Sequence, residues 1–586
     1  MVPLFAKYRT RAGNCYVYDV GTGEILPVSD ILYQIVGDYH LLTSDEIHEK
    51  YRALGREAVQ AALAQLGEAQ EEGLLCDHAP EISAKVKDLC CEGKREPIRD
   101  FLRHRRRLLT LELTHQCNLA CEYCIFGKHY PQTRQRSDAS MSLDTAKSAV
   151  ARFLSHKPND PSIGFYGGEP LLEFELMKEI VAFAEQLAAE NGLEARFNVT
   201  TNGTLLSEER IHYLVAHKFA VVISVDGNKE SHDRYRVFKN TAHPGPPRGS
   251  FDVIVGNMER FVQLYPDCQS RGIALTWTAT SNLSELEQFL RRWLPLFPVF
   301  VSSSVSPVEI AEGATEGGCG IGVGECPALP CRDESCLRRF SQQERPGGIP
   351  EFDDWPSERL SALDAGLESL VSKLSQCRDS NAASELLDRR SPIYATILRG
   401  QIENIHRRQV VDSARRKLPV VRLSCFPGAA RNYCSLRGAT FPCERTEFGK
   451  LFEIGDAISD VDADKACDFL VERVRLGCDC GNCLIQQVCT LCPARVAESK
   501  ESPGEPDYLA LQRTCGRSAL EPAFLTRLST YTTIMEANGK VLDWVFPPRK
   551  PSPGEWLSGV KVITESQEYV EPPVEELAEQ RFDIGS

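Results

Sequence analysis

Cys117, Cys121 and Cys124 follow an apolar run, Leu109–Leu113, with the spacing C-x3-C-x2-C and an aromatic, Tyr123, before the last cysteine. Three thiolates are one short of the four that a 4Fe–4S cluster usually takes. One iron is then left open, and an open coordination position is where a metal centre does chemistry. A structural zinc site or an ordinary ferredoxin loop would use the same residue type. Zinc sites usually pair two C-x2-C-like knuckles, and no fourth ligand lies close by in this segment.

Cysteines become dense again towards the C-terminus. Cys425 is followed by Cys434, then by Gly438-Ala-Thr-Phe-Pro-Cys443. Cys480-Gly-Asn-Cys483 leads to Cys489, then to Cys492 and Cys515, with Cys478 a spare two residues before Cys480. A pair of zinc knuckles is the other metal that such a field accommodates. Glu444 directly follows Cys443. A carboxylate beside an anionic cluster is raised in pKa, which suits a base; a salt bridge to Arg437 or Arg445 is an equally good use for it. In a glycine-rich stretch, Cys319, Cys326, Cys331 and Cys336 are spaced C-x6-C-x4-C-x4-C. They either hold zinc or another cluster, or sit in a mobile loop.

The chain has 586 residues, a length that suggests about three or four domains. Its formal charge of −15 gives no support to nucleic acid as the main partner. The basic run Arg103–Arg107 is local and reads as a solvated helix face or linker. No apolar stretch is long enough to span a bilayer, and the first residues lack the features of a secretory signal. The expectation is a soluble, cytoplasmic protein with no membrane partner. Its 23 cysteines then read mostly as metal ligands, the rest as small buried apolar residues, because cytosolic thiols are kept reduced.

The elements that must position these groups are legible as alternating strand and helix patterns from Leu108 to about Pro307. Strands are expected at Leu109–Leu113, Ser162–Tyr166, Arg196–Thr200, Ala220–Val225, Ile273–Thr278 and Val299–Val305. Helices are expected near Asp144–Ser155, Phe174–Asn191, Glu208–His217, Asp252–Leu264 and Ser284–Leu294. Such alternation implies a parallel sheet with helices outside, and six strands fit an incomplete β/α barrel. Chemistry in barrels gathers at the C-terminal strand ends, where the first cysteine loop lies. At residues 1–85, strands Asn14–Asp19 and Gly23–Pro27, helices near Ser29–Val36, Thr43–Leu54 and Arg56–Glu71, and a returning strand Gly73–Cys76 suggest a small winged-helix domain. The remaining divisions are a helical linker (86–107), the barrel (108–310), the Cys/Gly-rich insert (311–356), a helical connection (357–420), the second cysteine domain (421–520) and a Pro-rich, acidic tail (521–586). The tail is either partly disordered or wraps the barrel.

The three-cysteine motif, together with Tyr166-Gly167-Gly168-Glu169-Pro170 after the second strand, resembles the radical SAM superfamily. The resemblance implies that S-adenosylmethionine chelates the open iron through its amino and carboxylate groups. One electron then cleaves it to a 5′-deoxyadenosyl radical, which takes hydrogen from an unactivated C–H bond. It also implies that Gly167, Gly168, Glu169 and Pro170 contact the methionine amino group; the glycines allow close backbone approach. Asn202, Ser224, Asp226 and Arg236 resemble the family's ribose- and carboxylate-contacting positions. Ser224 and Arg236 are assigned to S-adenosylmethionine, whereas turn chemistry explains Asn202 and Asp226 equally well.

The second field is similar to the SPASM extension of such enzymes, which carries two auxiliary 4Fe–4S clusters. Carried over by position, Cys480, Cys483, Cys489 and Cys515 would hold the outer cluster, and Cys425, Cys443 and Cys492 the inner one. Cys434 is the obvious eighth ligand; without it an iron is free to bind a substrate thiolate. One departure is that two residues, rather than the usual three, separate Cys489 from Cys492. In related enzymes an acidic residue at the place of Glu444 removes a substrate proton. The N-terminal layout resembles the precursor-recognition element of enzymes that modify ribosomal peptides, which adds a leader segment as an extra strand.

Together these imply a peptide maturase that grips a ribosomal precursor peptide, draws electrons from an external donor (flavodoxin or ferredoxin) and most plausibly closes a thioether crosslink. Two alternatives remain: a sulfatase-maturing, formylglycine-generating enzyme, and a non-catalytic iron–sulfur redox or scaffold protein.

Overall fold

The computed structural model describes residues 3–77, 102, 106–124, 126–127, 136–158, 160–239, 248–277, 281–304, 357–408, 428, 431–447, 452–462, 464–466, 483–485, 488 and 517–546. The insert with Cys319, Cys326, Cys331 and Cys336 lies outside them, as do nearly all of the linker and residues 547–586.

The N-terminal unit comprises strands β1 (Phe5–Arg9), β2 (Cys15–Asp19) and β3 (Ile25–Val28), then helices α1 (Asp30–Ile35), α2 (Ser44–Lys50) and α3 (Arg56–Glu71). The strands pair antiparallel in the order β1-β2-β3. Ser29 and Thr43 cap α1 and α2, the latter through a reciprocal capping box with Glu46. β1 was not expected from the sequence. The anticipated strand at Gly73–Cys76 does not form. Leu75 instead adopts φ +51°, and its amide donates to the buried Asp19 carboxylate, which also takes the Gly21 amide and the Thr22 hydroxyl.

A parallel β/α barrel follows: β4 (Leu108–Thr114), α4 (Leu143–Ser155), β5 (Ser162–Gly167), α5 (Phe174–Glu190), β6 (Arg196–Thr201), α6 (Glu208–Ala216), β7 (Phe219–Ser224), α7 (Lys229–Tyr235), α8 (Phe251–Leu264), β8 (Arg271–Trp277), α9 (Leu283–Trp293) and β9 (Val299–Ser304). Neighbouring strands from β4 to β9 pair in parallel. Because strand side chains alternate, Leu109, Leu111, Ile163, Phe165, Phe197, Val199, Val221 and Ile273 join the core. Thr110, Glu112, Asn198, Ser224 and Thr276 sit on the other face of their strands. Phe165, Phe197 and Phe219, from three neighbouring strands, stack mutually as one aromatic cluster. Ser142, Ser207, Asn228 and Asn282 cap α4, α6, α7 and α9, so each helix starts soon after its loop. The five expected helices are present with ends shifted by a residue or so; α7 is additional.

Helices α10 (Ser357–Ser375), α11 (Ser380–Ser384) and α12 (Pro392–His406) come next, with a π-helical stretch at Glu385–Arg390. Then come β10 (Arg431–Cys434), β11 (Ala439–Phe441), β12 (Gly455–Asp456), β13 (Asp460–Val461), α13 (Arg517–Asn538) and α14 (Lys540–Val545). β10 pairs in parallel with β4, from Arg431↔Leu108 to Cys434↔Leu111. The result is one ten-stranded sheet in the order β13-β12-β11-β10-β4-β5-β6-β7-β8-β9. An open barrel edge exposes unpaired backbone groups; here β10 covers the edge beside β4.

α13 packs against α12 and against β1. The Tyr8 hydroxyl meets that of Thr532 at 2.8 Å, and Oε1 of Glu536 accepts from Thr10, Asn14 and Tyr16. Residues 517–546 of the tail region are thus helical and hold the N-terminal sheet to the body. No helix among the described residues is long and apolar enough to cross a membrane.

Candidate functional site

The first cysteine loop leaves β4 through a register irregularity between Glu112 and Thr114. Such a bulge re-aims the chain at a strand end. The loop is then docked on β5. The amide of Gly168 donates to Thr114 O at 2.7 Å, and that of Glu169 to Gln116 O at 2.8 Å. A Cβ on Gly167 would stand 2.4 Å from Thr114 O, and one on Gly168 2.0 Å from Gln116 O. Gly167 also has φ +141°. The two glycines therefore serve the contact between the cysteine loop and the strand below it.

Glu169 is fully buried. Its Oε1 accepts from the Leu171 amide (3.0 Å) and the Thr201 hydroxyl (2.7 Å), and its Oε2 from the Asn202 amide (2.7 Å). Burial raises its pKa, while these donors pull the other way. The carboxylate ties the end of β5 to the end of β6. Pro170 is buried in the turn that follows.

Asn202 serves two ends at once. Its Oδ1 accepts from the amide and hydroxyl of Thr204, which is turn chemistry. Its Nδ2 donates to Asn118 Oδ1 at 2.8 Å and approaches Cys117 Sγ at 3.9 Å. Asn118 in turn donates to the Thr204 hydroxyl. The Leu119 amide gives Cys117 Sγ a second donor, at 3.4 Å.

Cys117, Cys121 and Cys124 are all free thiols, and each lies in the electrostatic field of the others. Burial pushes the Cys117 thiol up to about 11 and the Cys121 thiol up to about 12. Buried thiols that resist ionisation on their own suit a cationic metal centre that displaces their protons. Three such donors on one short loop fit a 4Fe–4S cluster held at three corners.

Behind the loop, the Tyr123 hydroxyl donates to Asp226 Oδ2, which also takes the Arg236 Nε at 2.7 Å. Asp226 Oδ1 accepts the Thr276 amide. The Asp226 amide donates to His232 Nδ1, and His232 Nε2 lies 2.9 Å from the Ser250 hydroxyl, which donates to Arg236 O. His232 is thereby held neutral; burial pushes it down to about 4. Arg236 lies over the Tyr123 ring and is deeply buried. Its Nε is committed to Asp226, an ion pair that the sequence reading, which assigned Arg236 to S-adenosylmethionine, did not foresee. Ser224 ends β7, half-buried, beside Asp226.

Of the second cysteine field, only Cys434, Cys443 and Cys483 fall among the described residues; Cys425, Cys480, Cys489, Cys492 and Cys515 lie outside them. Cys434 is 1% exposed, and burial pushes it up to about 12. Cys483 is buried beside Ile485 and Val488. Glu444 pairs with Arg431 at 3.1 Å. Sequence reasoning missed a second acidic group. Glu112 Oε2 accepts from the Leu436 amide and meets His115 Nε2, each at 3.3 Å, and Glu447 lies within 4.8 Å of both side chains. Glu112 comes from β4 and Glu447 from beyond β11, so only the β10–β4 pairing brings them together.

The family described as "Radical SAM superfamily" matches residues 111–277, which is the barrel from β4 to β8. Residues 111–277 thus carry a radical SAM domain, and the cofactors that such a domain implies are a 4Fe–4S cluster and S-adenosylmethionine. It is similar to the cysteine-type anaerobic sulfatase-maturating enzyme of Clostridium novyi (strain NT), with 29% identity over 153 residues covering 26% of this chain and 39% of that protein. It is also similar to the radical SAM cyclopropyl synthase TigE of Paramaledivibacter caminithermalis, with 22% identity covering 22% of this chain and 28% of that one. The matches to both relatives thus span about two fifths of their length or less. Among solved structures, native anSMEcpe with bound AdoMet aligns with 75% of this chain and 99% of its own, at 16% identity and a TM-score of 0.45.

Proposed function

We propose that this chain is a radical SAM peptide maturase with a SPASM-type auxiliary-cluster domain. In this reading it modifies a ribosomally made precursor peptide, and the bond formed is a thioether between a cysteine sulfur and carbon. The observation that carries the reading is the shared sheet. β10, which ends in Cys434, pairs directly with β4, the strand that ends in the Cys117–Cys124 loop.

When bound, the cluster and S-adenosylmethionine supply a one-electron cleavage that yields a hydrogen-abstracting organic radical, the electron coming from flavodoxin or ferredoxin. The chain's own residues orient and exclude. Cys117, Cys121 and Cys124 anchor the metal, and Gly167 and Gly168 hold their loop to β5. Ser224 and Arg236 stand at the strand end assigned to the nucleotide. Glu444 and Glu447 offer carboxylates on the side of the second cysteine field, where a substrate proton must be taken up. The antiparallel sheet of residues 5–28 would take the leader of the precursor as an added strand.

A second reading, sulfatase maturation, is favoured by the name of the Clostridium novyi relative. Anaerobic reconstitution, reductive cleavage of S-adenosylmethionine and mass spectrometry of a co-expressed precursor peptide separate the two. A cysteine-dependent loss of hydrogen within the peptide is the expected result. A formylglycine on a sulfatase-derived peptide, with the precursor untouched, would establish the second reading. The Cys121→Ala variant is expected to lose cleavage altogether; retained cleavage overturns the site.

A further inference from the structure

Two guanidinium groups flank the three-cysteine loop, and they differ in one respect. Arg236 acts on the Cys121 side, but its charge is matched by the Asp226 carboxylate. Arg136 acts on the Cys124 side. It donates through Nη1 to Leu119 O at 2.5 Å and lies in the field of Cys124, Cys117 and Cys121. No carboxylate pairs with it among the described residues.

Its position is built by the sheet, not by a flexible arm. Residues 137–141 run back along the exit of β4 as a short strap. The His115 amide donates to Ala139 O (3.0 Å), Gln116 Nε2 to Asp138 O (3.0 Å) and the Met141 amide to Leu113 O (2.8 Å). Ser137 Oγ meets His115 Nδ1 at 2.9 Å. The strap therefore grips the residues immediately before Cys117 and delivers Arg136 across the loop to Cys124.

We propose that Arg136 is a tuning residue of the three-cysteine site, fixing a positive charge against the thiolates so that the more negative, reduced state of the bound cluster is favoured. This rests on the assignment of a 4Fe–4S cluster to Cys117, Cys121 and Cys124. Hydrogen bonds to ligand sulfurs and nearby charge are the protein's main means of setting such potentials. Half-buried, the guanidinium is poorly screened, so its field at the thiolates is strong. Lysine keeps the charge but not the planar fork.

The test is a redox titration of anaerobically reconstituted full-length protein, with iron content measured on the same samples. The relevant cluster is the one whose reduced resonance spectrum changes on adding S-adenosylmethionine. Arg136→Gln is expected to lower its reduced-to-oxidised ratio at a fixed potential by about tenfold, equivalent to about 59 mV for one electron. Arg136→Lys should recover most of that difference. A Gln variant that keeps the wild-type potential, or Gln and Lys variants displaced equally, overturns the proposal. Should the Gln variant fail to load iron, the Lys variant decides: a potential near wild type supports the charge argument, and a displaced one refutes it. A wild-type protein with no such responsive signal overturns the cluster assignment itself, and this inference with it.

Discussion

Cys434 and Cys443 stand at opposite ends of one β-hairpin. Cys434 pairs with Thr440 next to the turn, where the Ser435 amide donates to Ala439 O and that of Gly438 to Ser435 O. Cys443 lies two residues past β11, at the open end, where Glu444 meets Arg431. Three residues of strand, about 10 Å, separate their levels along the ladder. Sequence position suggested this pair as joint ligands of the inner cluster, and the hairpin sets them at different levels.

Iron content should therefore separate the two cysteines. Cys443→Ala is expected to lose about four irons per chain, the content of one cluster. Cys434→Ala should keep the wild-type iron content and show only a modest loss of stability from the buried packing site. Equal iron loss in both variants would restore Cys434 as a ligand and require the hairpin to reshape when the metal binds.

Gly168 makes a sharper claim about the first site. The nearest atoms to an added Cβ are backbone: Gln116 O at 2.0 Å, Gln116 C at 2.5 Å and His115 O at 2.9 Å. No rotamer change relieves such a contact, so the loop carrying Cys117 must move. Gly168→Ala is expected to reduce cleavage of S-adenosylmethionine by on the order of a hundredfold, as displacements of about 1 Å do at reacting centres. Gly400→Ala serves as the control away from the site, since its φ is ordinary and nothing lies within 4 Å of its Cβ.

The barrel was legible because each strand is a short apolar run followed by a helix with a cap, both local signals. The same locality explains what was missed. β10 is four residues long and earns its place only by pairing with β4, more than three hundred residues away in sequence. Nothing in Arg431–Cys434 announces that partner, and the Glu112–His115–Glu447 group that depends on it was invisible for the same reason. β1 alternates the buried Ala6 and Tyr8 with the more open Phe5, Lys7 and Arg9, and the helix that packs on it, α13, lies more than five hundred residues away in sequence. At the site, the cysteine spacing pointed to three thiolates for one metal centre, and the structure sets all three on one short loop after β4. The partner of Arg236 could not be read, because Asp226 also fits a turn. Arg136 belongs to no motif; only the strap brings it to Cys124.

Asp226 is the test of that ambiguity. Its carboxylate is the counter-ion of a buried arginine and the acceptor for Tyr123 and the Thr276 amide. Removing one partner of a buried pair leaves the other charge uncompensated, at a cost of about 3 kcal/mol or more. Asp226→Asn is expected to lower thermal stability markedly even without cofactors. Unchanged stability with weakened nucleotide binding would place Asp226 at the nucleotide instead.

Two buried groups set opposing pH limits on stability. Glu287, on α9, caps α12: its Oε1 accepts the amides of Ile393 (3.1 Å) and Tyr394 (3.2 Å). Burial nevertheless raises it from 4.5 to about 7. The folded state then holds its proton more tightly than the unfolded chain. Stability from this group is complete below about 4.5, declines as pH rises through 7, and the difference amounts to about 3 kcal/mol. His232 has the opposite sign. Its folded value of about 4 lies below the ordinary 6.5, so its contribution is present above 6.5 and is lost as pH falls through 4. Glu287→Gln keeps a carbonyl acceptor for the two amides without the charge. Melting curves should show the Gln variant gaining on the wild type as pH rises from about 4.5 to about 7, with the gap constant above that, while both lose the His232 contribution on the acid side. A wild type and a Gln variant that keep the same difference throughout that window would show that Glu287 is not the group responsible.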